Sequence, residues 1–212
     1  PMAIQQIMVS FGFFFIQRQV NFYGSFMTAS FTVAGRLENY ALIPTIALQS
    51  TMATFTSQNL GAGRMDRLNT GLKQAIALSL IVTAVIALTL FAFSNQVVQL
   101  FGIDGQSLAY CTEHIHSIAF AYLIFALYFP CMGMFQGVGQ GFFATVVSTI
   151  ALGLRVVFTY MLCNVPSIGY SAIWWSQPLG WIAACAITYI HFIRGKSKLD
   201  ETRANKHALH VL

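Results

Sequence analysis

The sequence predicts an all-α, polytopic membrane protein: six transmembrane helices forming one lobe of a larger transporter. Three observations carry the prediction: a composition too apolar for a water-facing surface, six apolar runs of spanning length, and short connections rich in Gly and Pro. The apolar set makes up 57% of the 212 residues and charged residues only 8%, against about 25% charged in soluble domains. Disordered, collagenous and disulfide-rich secreted chains are excluded by the same figures. The net charge of +5 comes from eleven Lys and Arg set against six acids, spread too thinly for a nucleic-acid surface, so no nucleic-acid partner is expected. The partner is the lipid bilayer.

A spanning helix needs about 20 mostly apolar residues. The first run covers about residues 2–23, and Gln6, Ser10, Gln17, Asn21 and Gly24 fall on one arc of it with Phe13 among them. The second covers about residues 28–57 with Pro44 inside. Its polar arc runs through Arg36, Asn39, Ser50, Thr54, Ser57 and Gly61. The third covers about residues 72–93, and Val97-Val98-Gln99-Leu100-Phe101 after it reads as an interfacial turn of helix. The fourth, about residues 108–136, carries Pro130 near its end and aligns Tyr110, His114, Ser117, Ala121 and Tyr128. The fifth, about residues 142–163, aligns Ser148, Arg155 and Thr159, and the sixth covers about residues 170–193. The runs are too long for strands and do not alternate, and lipid accepts only helices or closed barrels. Residues 1–193 therefore read as one six-helix lobe and residues 194–212 as a basic tail.

Eight of the eleven cations lie in two places: Arg64, Arg67 and Lys73 after the second run, and Arg194, Lys196, Lys198, Arg203 and Lys206 in the tail. Six helices put both on one face of the membrane, and cationic loops mark the cytoplasmic face. A multi-pass protein of the cell membrane with a cytoplasmic C-terminus follows. The other three, Arg18, Arg36 and Arg155, fall within or beside runs, where an Arg costs about 2.5–3.5 kcal/mol at a helix centre and faces protein or a watery cavity. Neither Glu38 nor Glu113 lies deep in an apolar run, so no midplane carboxylate is expected.

Catalytic signatures, cofactor motifs and metal-ligand spacings are missing. His114 and His116, two residues apart, point to different faces of a helix, and Cys111, Cys131, Cys163 and Cys185 follow no disulfide or zinc spacing. An enzyme, a cofactor and a metal are not expected. The chain opens on Pro1 with no cationic leader and cleavage site, which fits a piece of a longer protein.

The exit of the second run reads Thr54-Phe55-Thr56-Ser57-Gln58-Asn59-Leu60-Gly61-Ala62-Gly63, ten residues after Pro44. This QNxGA element, at Gln58, Asn59, Gly61 and Ala62, resembles the MATE family of multidrug and toxic compound extrusion transporters. Pro1, Gln5, Gln17, Asn21 and Gly24 look like the family's seventh helix. Phe135-Gln136-Gly137-Val138-Gly139 resembles its RGxG-type turn, Arg155 matches an Arg of the eleventh helix, and Gly180-Trp181 fits the last.

The resemblance implies the C-terminal of two six-helix lobes, the N-terminal lobe being absent, with the substrate path between lobes that rock in alternating access. It implies antiport of a cationic or amphipathic small molecule against sodium ions or protons. Gln17, Asn21, Arg36, Asn39, Tyr128 and Arg155 are the implied cavity residues. The seventh-helix stripe holds Gln17 and no acid, so the coupling carboxylate is expected in the other lobe. Two other readings stay open: a lipid-linked oligosaccharide flippase of the same superfamily, which needs a more cationic cavity, and an inactive fragment.

Overall fold

The computed structural model describes the backbone of residues 2–209, and side chains at residue 7 and residues 10–193. Six helices follow one another: α1 (Met2–Phe22), α2 (Ser25–Gly61), α3 (Asp66–Gln99), α4 (Gly105–Gly137), α5 (Gly141–Cys163) and α6 (Ser171–Leu209). Each predicted run is one helix. α2 and α3 begin earlier than their apolar runs, because helix propagates into polar residues once its first turns exist. The predicted interfacial turn after the third run is instead the end of α3 itself, set off by a kink at Phe93, whose φ of −116° and ψ of 19° leave the helical region. α6 continues without a break from residue 193 into the basic segment. The side chains of Arg194, Lys196, Lys198, Arg203 and Lys206, like Pro1 and the Gln5 side chain, lie outside the described residues.

The helices stop for local reasons. Gly24, at φ 93°, turns the chain between α1 and α2, a conformation costly for a residue with a Cβ. At the end of α2 the Ala62 N–H reaches the Gln58 carbonyl (3.0 Å), the Arg64 N–H reaches the Asn59 carbonyl (2.8 Å) and Gly63 takes φ 71°, so orphan carbonyls are capped through a left-handed glycine. Pro44, Pro130 and Pro178 sit inside α2, α4 and α6.

α4 is the central post. The most apolar window of α4 is 67% buried, against 11% for α3 and 22% for α5. α2 and α3 pack on one side of α4, and α6, with α5 and α1 behind it, on the other. Two helix groups result, α2–α3–α4 and α1–α5–α6, joined mainly where α4 meets α6. Aromatic and sulfur side chains fill that seam, with Tyr128, Met132 and Phe135 of α4 packed among Val147, Ala151 and Ala184. Trp181 meets Phe125 edge-on at 4.9 Å.

Within α1–α5–α6, the buried Thr159 Oγ1 of α5 lies 2.8 Å from the Arg155 carbonyl oxygen one turn earlier and 2.7 Å from Ser176 Oγ of α6, within hydrogen-bonding distance of both. Interhelical bonds of this kind contribute about 0.6 kcal/mol on average in membranes. Thr159→Val should therefore lower the unfolding temperature of the full-length protein only slightly in detergent, and a drop as large as that of a core cavity would contradict this.

α3, α4 and α5 are each long and apolar enough to cross a membrane on length and composition alone. α2 falls short of that test because Thr28, Thr32, Arg36, Glu38, Asn39 and Gln49 dilute its apolar character. The outer face of α3 is aliphatic, with Leu78, Ile81, Val85 and Leu88 exposed, as lipid contact requires.

Candidate functional site: a polar cavity between the two helix groups

A cavity of about 390 Å³ opens between the helix groups, within the range of small-molecule sites. α2 contributes Gly35, Glu38, Asn39 and Gln49 to its wall, and α4 contributes His114, Tyr128 and Gln136. α5 contributes Ser148, Leu152 and Arg155, α6 contributes Gln177 and Trp181, and α1 contributes Phe13. The rest is apolar, including Leu42, Phe129 and Met132.

Its polar groups converge from three helices. Gln177 of α6 donates from Nε2 to Glu38 Oε1 of α2, and Trp174 of α6 stacks on Phe31 of α2 with ring centroids 6.2 Å apart. Arg155 of α5, 5% exposed, lies close enough to Glu38 to interact electrostatically, and its Cζ stands 5.6 Å from the centre of the Phe13 ring. The Gln177–Glu38 hydrogen bond thus bridges the two groups across the cavity, with Arg155 in the same wall. Gly180 brings α6 tight against α5 beside it: a Cβ at Gly180 would stand 2.6 Å from the Ala151 carbonyl oxygen and 3.4 Å from Arg155 Cβ.

His114 is buried in a stack of flat rings, 4.2 Å from Trp174 and 5.6 Å from Phe31 between centroids. Neither ring nitrogen of His114, nor Arg155 Nε, nor Gln177 Oε1 has a hydrogen-bond partner. Buried polar atoms are ordinarily paired with protein or ordered water, and these four are not. His116 points elsewhere, with Nε2 3.3 Å from Ser94 Oγ. Among the described residues no three His, Cys, Asp or Glu gather as a metal site.

Of the residues singled out from the sequence, Asn39, Tyr128 and Arg155 line this cavity; Gln17, Asn21 and Arg36 do not. Gln17 donates to Asn21 Oδ1 (2.9 Å), which also accepts from Thr28 Oγ1 (3.2 Å), so this pair ties α1 to the start of α2. Arg36 lies exposed in a separate shallow groove with Thr28, Thr32 and Phe101. Gln58, Asn59, Gly61 and Ala62 form the helix end described above, where Asn59 Nδ2 donates to the Phe55 carbonyl (2.8 Å). Glu38, set aside in the sequence as lying outside any deep apolar run, lines this cavity. On α2 the cavity face holds Phe31, Gly35, Glu38, Asn39, Leu42 and Gln49, so the polar arc drawn through Arg36 and Asn39 meets it only at Asn39.

Sequence reasoning passed over Gln177. Its signal was a lone amide among Ile173, Trp174, Trp175 and Pro178, where an unpaired polar group is costly. The three arginines do not converge: only Arg155 enters the cavity, opposite Glu38. This lobe brings one arginine, not three, to its cavity.

A six-helix bundle split by a polar cavity defines a class, the lobe of a membrane transporter. A family model described as MatE matches residues 1–161, and the chain belongs to that family, whose members are transporters rather than enzymes. It is 24% identical over 193 residues to the probable multidrug resistance protein YoeA of Bacillus subtilis (strain 168), covering 91% of this chain and 42% of that protein. Over 94 residues it is 32% identical to an FAD transporter of Shewanella oneidensis, covering 44% of this chain and 21% of that one. A crystal structure of MATE in the bent conformation superposes with a TM-score of 0.87 at 20% identity, covering 95% of this chain and 45% of that structure. The chain thus spans less than half the length of these relatives.

Proposed function

We propose that this chain is the C-terminal half of a multidrug antiporter, coupled to sodium ions or protons, working by alternating access. It sits in the cell membrane with six spans and a cytoplasmic C-terminus, beside an N-terminal six-helix lobe. The observation that carries this reading is the cavity: Glu38, Arg155, Gln177 and Asn39 are placed in an otherwise apolar bundle, where polar groups are expensive unless they serve a path. The cavity is this lobe's share of the route for an amphipathic small molecule. The pair formed by Gln17 and Asn21 serves the route at one remove, by fixing the turn between α1 and α2.

Two experiments test it. Asn39 is exposed and lines the cavity, so Asn39→Trp adds bulk to the path without crowding the core. In the full-length protein it should reduce dye efflux at least about ten-fold at normal expression, whereas Leu88→Trp on the aliphatic face of α3 should not; a loss of about 1.4 kcal/mol corresponds to that factor. Wild-type efflux by Asn39→Trp sinks the path. For topology, cysteines are placed in turn at Asp104 and Arg64. An impermeant maleimide should label intact cells at position 104 and label position 64 only after lysis; the reverse pattern inverts the orientation.

A further inference from the structure

A second concavity lies apart from the central cavity, and its two walls differ in kind. It is an open groove of about 520 Å³ between the first turns of α2 and the α3–α4 connection. One wall carries Ser25, Thr28, Thr32 and Arg36; the other is Phe101 and Ile103. We propose that this groove holds an anionic phospholipid, with the phosphate on Arg36 and an acyl chain along Phe101 and Ile103. This requires α2 to cross the bilayer and is independent of what the central cavity carries.

The depth of Arg36 suits a headgroup. α2 has 37 residues and is about 55 Å long, against about 30 Å of hydrocarbon. A centred helix therefore overhangs by roughly 12 Å at each end. Arg36, eleven residues after Ser25, lies about 16 Å from the start of α2, so its Cα stands only slightly inside the hydrocarbon. Helical side chains lean toward the N-terminus, and an Arg stem laid on apolar surface carries its guanidinium to the interface.

Charge selects an anion. Arg36 is exposed, and among the described residues no acid lines the groove. Glu38 faces the central cavity, where it accepts from Gln177, and Asp104, beside Ile103, lies outside the groove's lining. The Thr28 and Thr32 hydroxyls donate to the Gly24 and Thr28 carbonyls one turn earlier, which leaves the guanidinium as the charged donor. A guanidinium facing lipid without a counter-charge is costly, and a phosphate meets its fork of N–H groups with two oxygens. The surroundings select a lipid over a free anion. Phe26 in the first turn of α2, Tyr40 one turn beyond Arg36 and Leu100 beside Phe101 are 56%, 67% and 85% exposed. A cation set among large exposed apolar side chains matches a molecule acidic at one end and hydrocarbon at the other.

The test is native mass spectrometry of the purified full-length protein equilibrated with equimolar dioleoyl-phosphatidylglycerol and dioleoyl-phosphatidylcholine. Wild type should hold a phosphatidylglycerol about five-fold more tightly than phosphatidylcholine, the preference expected of one cation at a headgroup. Arg36→Gln should weaken that lipid about five-fold, and Arg36→Lys, which keeps the charge, much less. Ala29→Trp fills the groove at an exposed lining position without touching the charge, and should weaken it comparably. Arg64→Gln removes an exposed cation beyond the far end of α2 and should change nothing. Equal retention of the two lipids by wild type overturns the proposal, as does phosphatidylglycerol binding untouched by Arg36→Gln or Ala29→Trp. An equal loss in Arg64→Gln overturns it in favour of general charge attraction. Displacement of the lipid by inorganic phosphate at matched ionic strength overturns it in favour of a free-anion site. Loss of monodisperse protein in both groove variants overturns it in favour of a surface covered by protein. Dye efflux by Asn39→Trp reads the central cavity separately, so either reading can fail alone.

Discussion

Arg155→Met should destabilise the full-length protein severely, and removing Glu38 as well should restore part of the loss. Arg155 is nearly fully buried, with Glu38 as its counter-charge and Gln177 as that carboxylate's donor. Deleting one member of such a pair leaves the other as an uncompensated charge, at a cost of about 3–5 kcal/mol, whereas replacing both by apolar groups is often close to neutral. The prediction is non-additive: Arg155→Met/Glu38→Leu should unfold at a higher temperature than Arg155→Met alone. A thiol-reactive dye provides the measurement, since Cys111 is fully buried and reacts only on unfolding. Additive losses would show that the two side chains do not sense each other. Transport should not follow stability here, because the double variant removes the polar wall of the cavity along with the strain.

The second large effect is steric. Gly133 and Gly137 lie one turn apart on α4 and set the closeness of α2. A Cβ at Gly137 would stand 2.5 Å from the Ala53 carbonyl oxygen and from Thr56 Cβ, and one at Gly133 would run into the Gln49 carbonyl oxygen. The two carbonyl oxygens are backbone and cannot turn aside, so the helices must separate along the most extensive contact in the bundle. Overpacking of this type costs about 1–3 kcal/mol, sometimes more. Gly133→Val should give little folded protein after solubilisation, measured as the monodisperse fraction by size exclusion. Gly153→Ala in α5, where an added Cβ meets nothing within 4 Å, is the control and should be neutral or stabilising by about 0.5–1 kcal/mol. Normal yields for Gly133→Val would mean that α2 and α4 are not held at this spacing.

The spacing of small residues that marks this contact, Gly133 and Gly137 four apart, is readable in the sequence as a close-packing signature. It was hidden by the second glycine also belonging to the turn at residues 137–141. The six helices and their order were legible because apolar length is a one-dimensional property. Their polar faces were less so. On α5 the arc through Ser148, Arg155 and Thr159 points inward, because it is the polar stripe of an otherwise apolar helix. On α2 polar residues lie almost all round, and no single helix tells which of two stripes meets a neighbour and which stays exposed. Glu38 and Arg36 therefore exchanged expected places. Gln177 and Glu38 are 139 residues apart, and their meeting is a property of the packing between α2 and α6 that neither local sequence encodes.

The three internal prolines belong to α2, α4 and α6, helices that all face the cavity, whereas α3 and α5 have none. A proline supplies no N–H to the carbonyl four residues earlier, which releases those of Tyr40, Ala126 and Trp174 from the helical ladder. Three of the five helices that line the cavity are thus already notched, while α1 and α5, which also line it, and α3, on the lipid side, stay unnotched. The notched walls can flex at preset points without melting a turn, against the unbroken rods of α1 and α5.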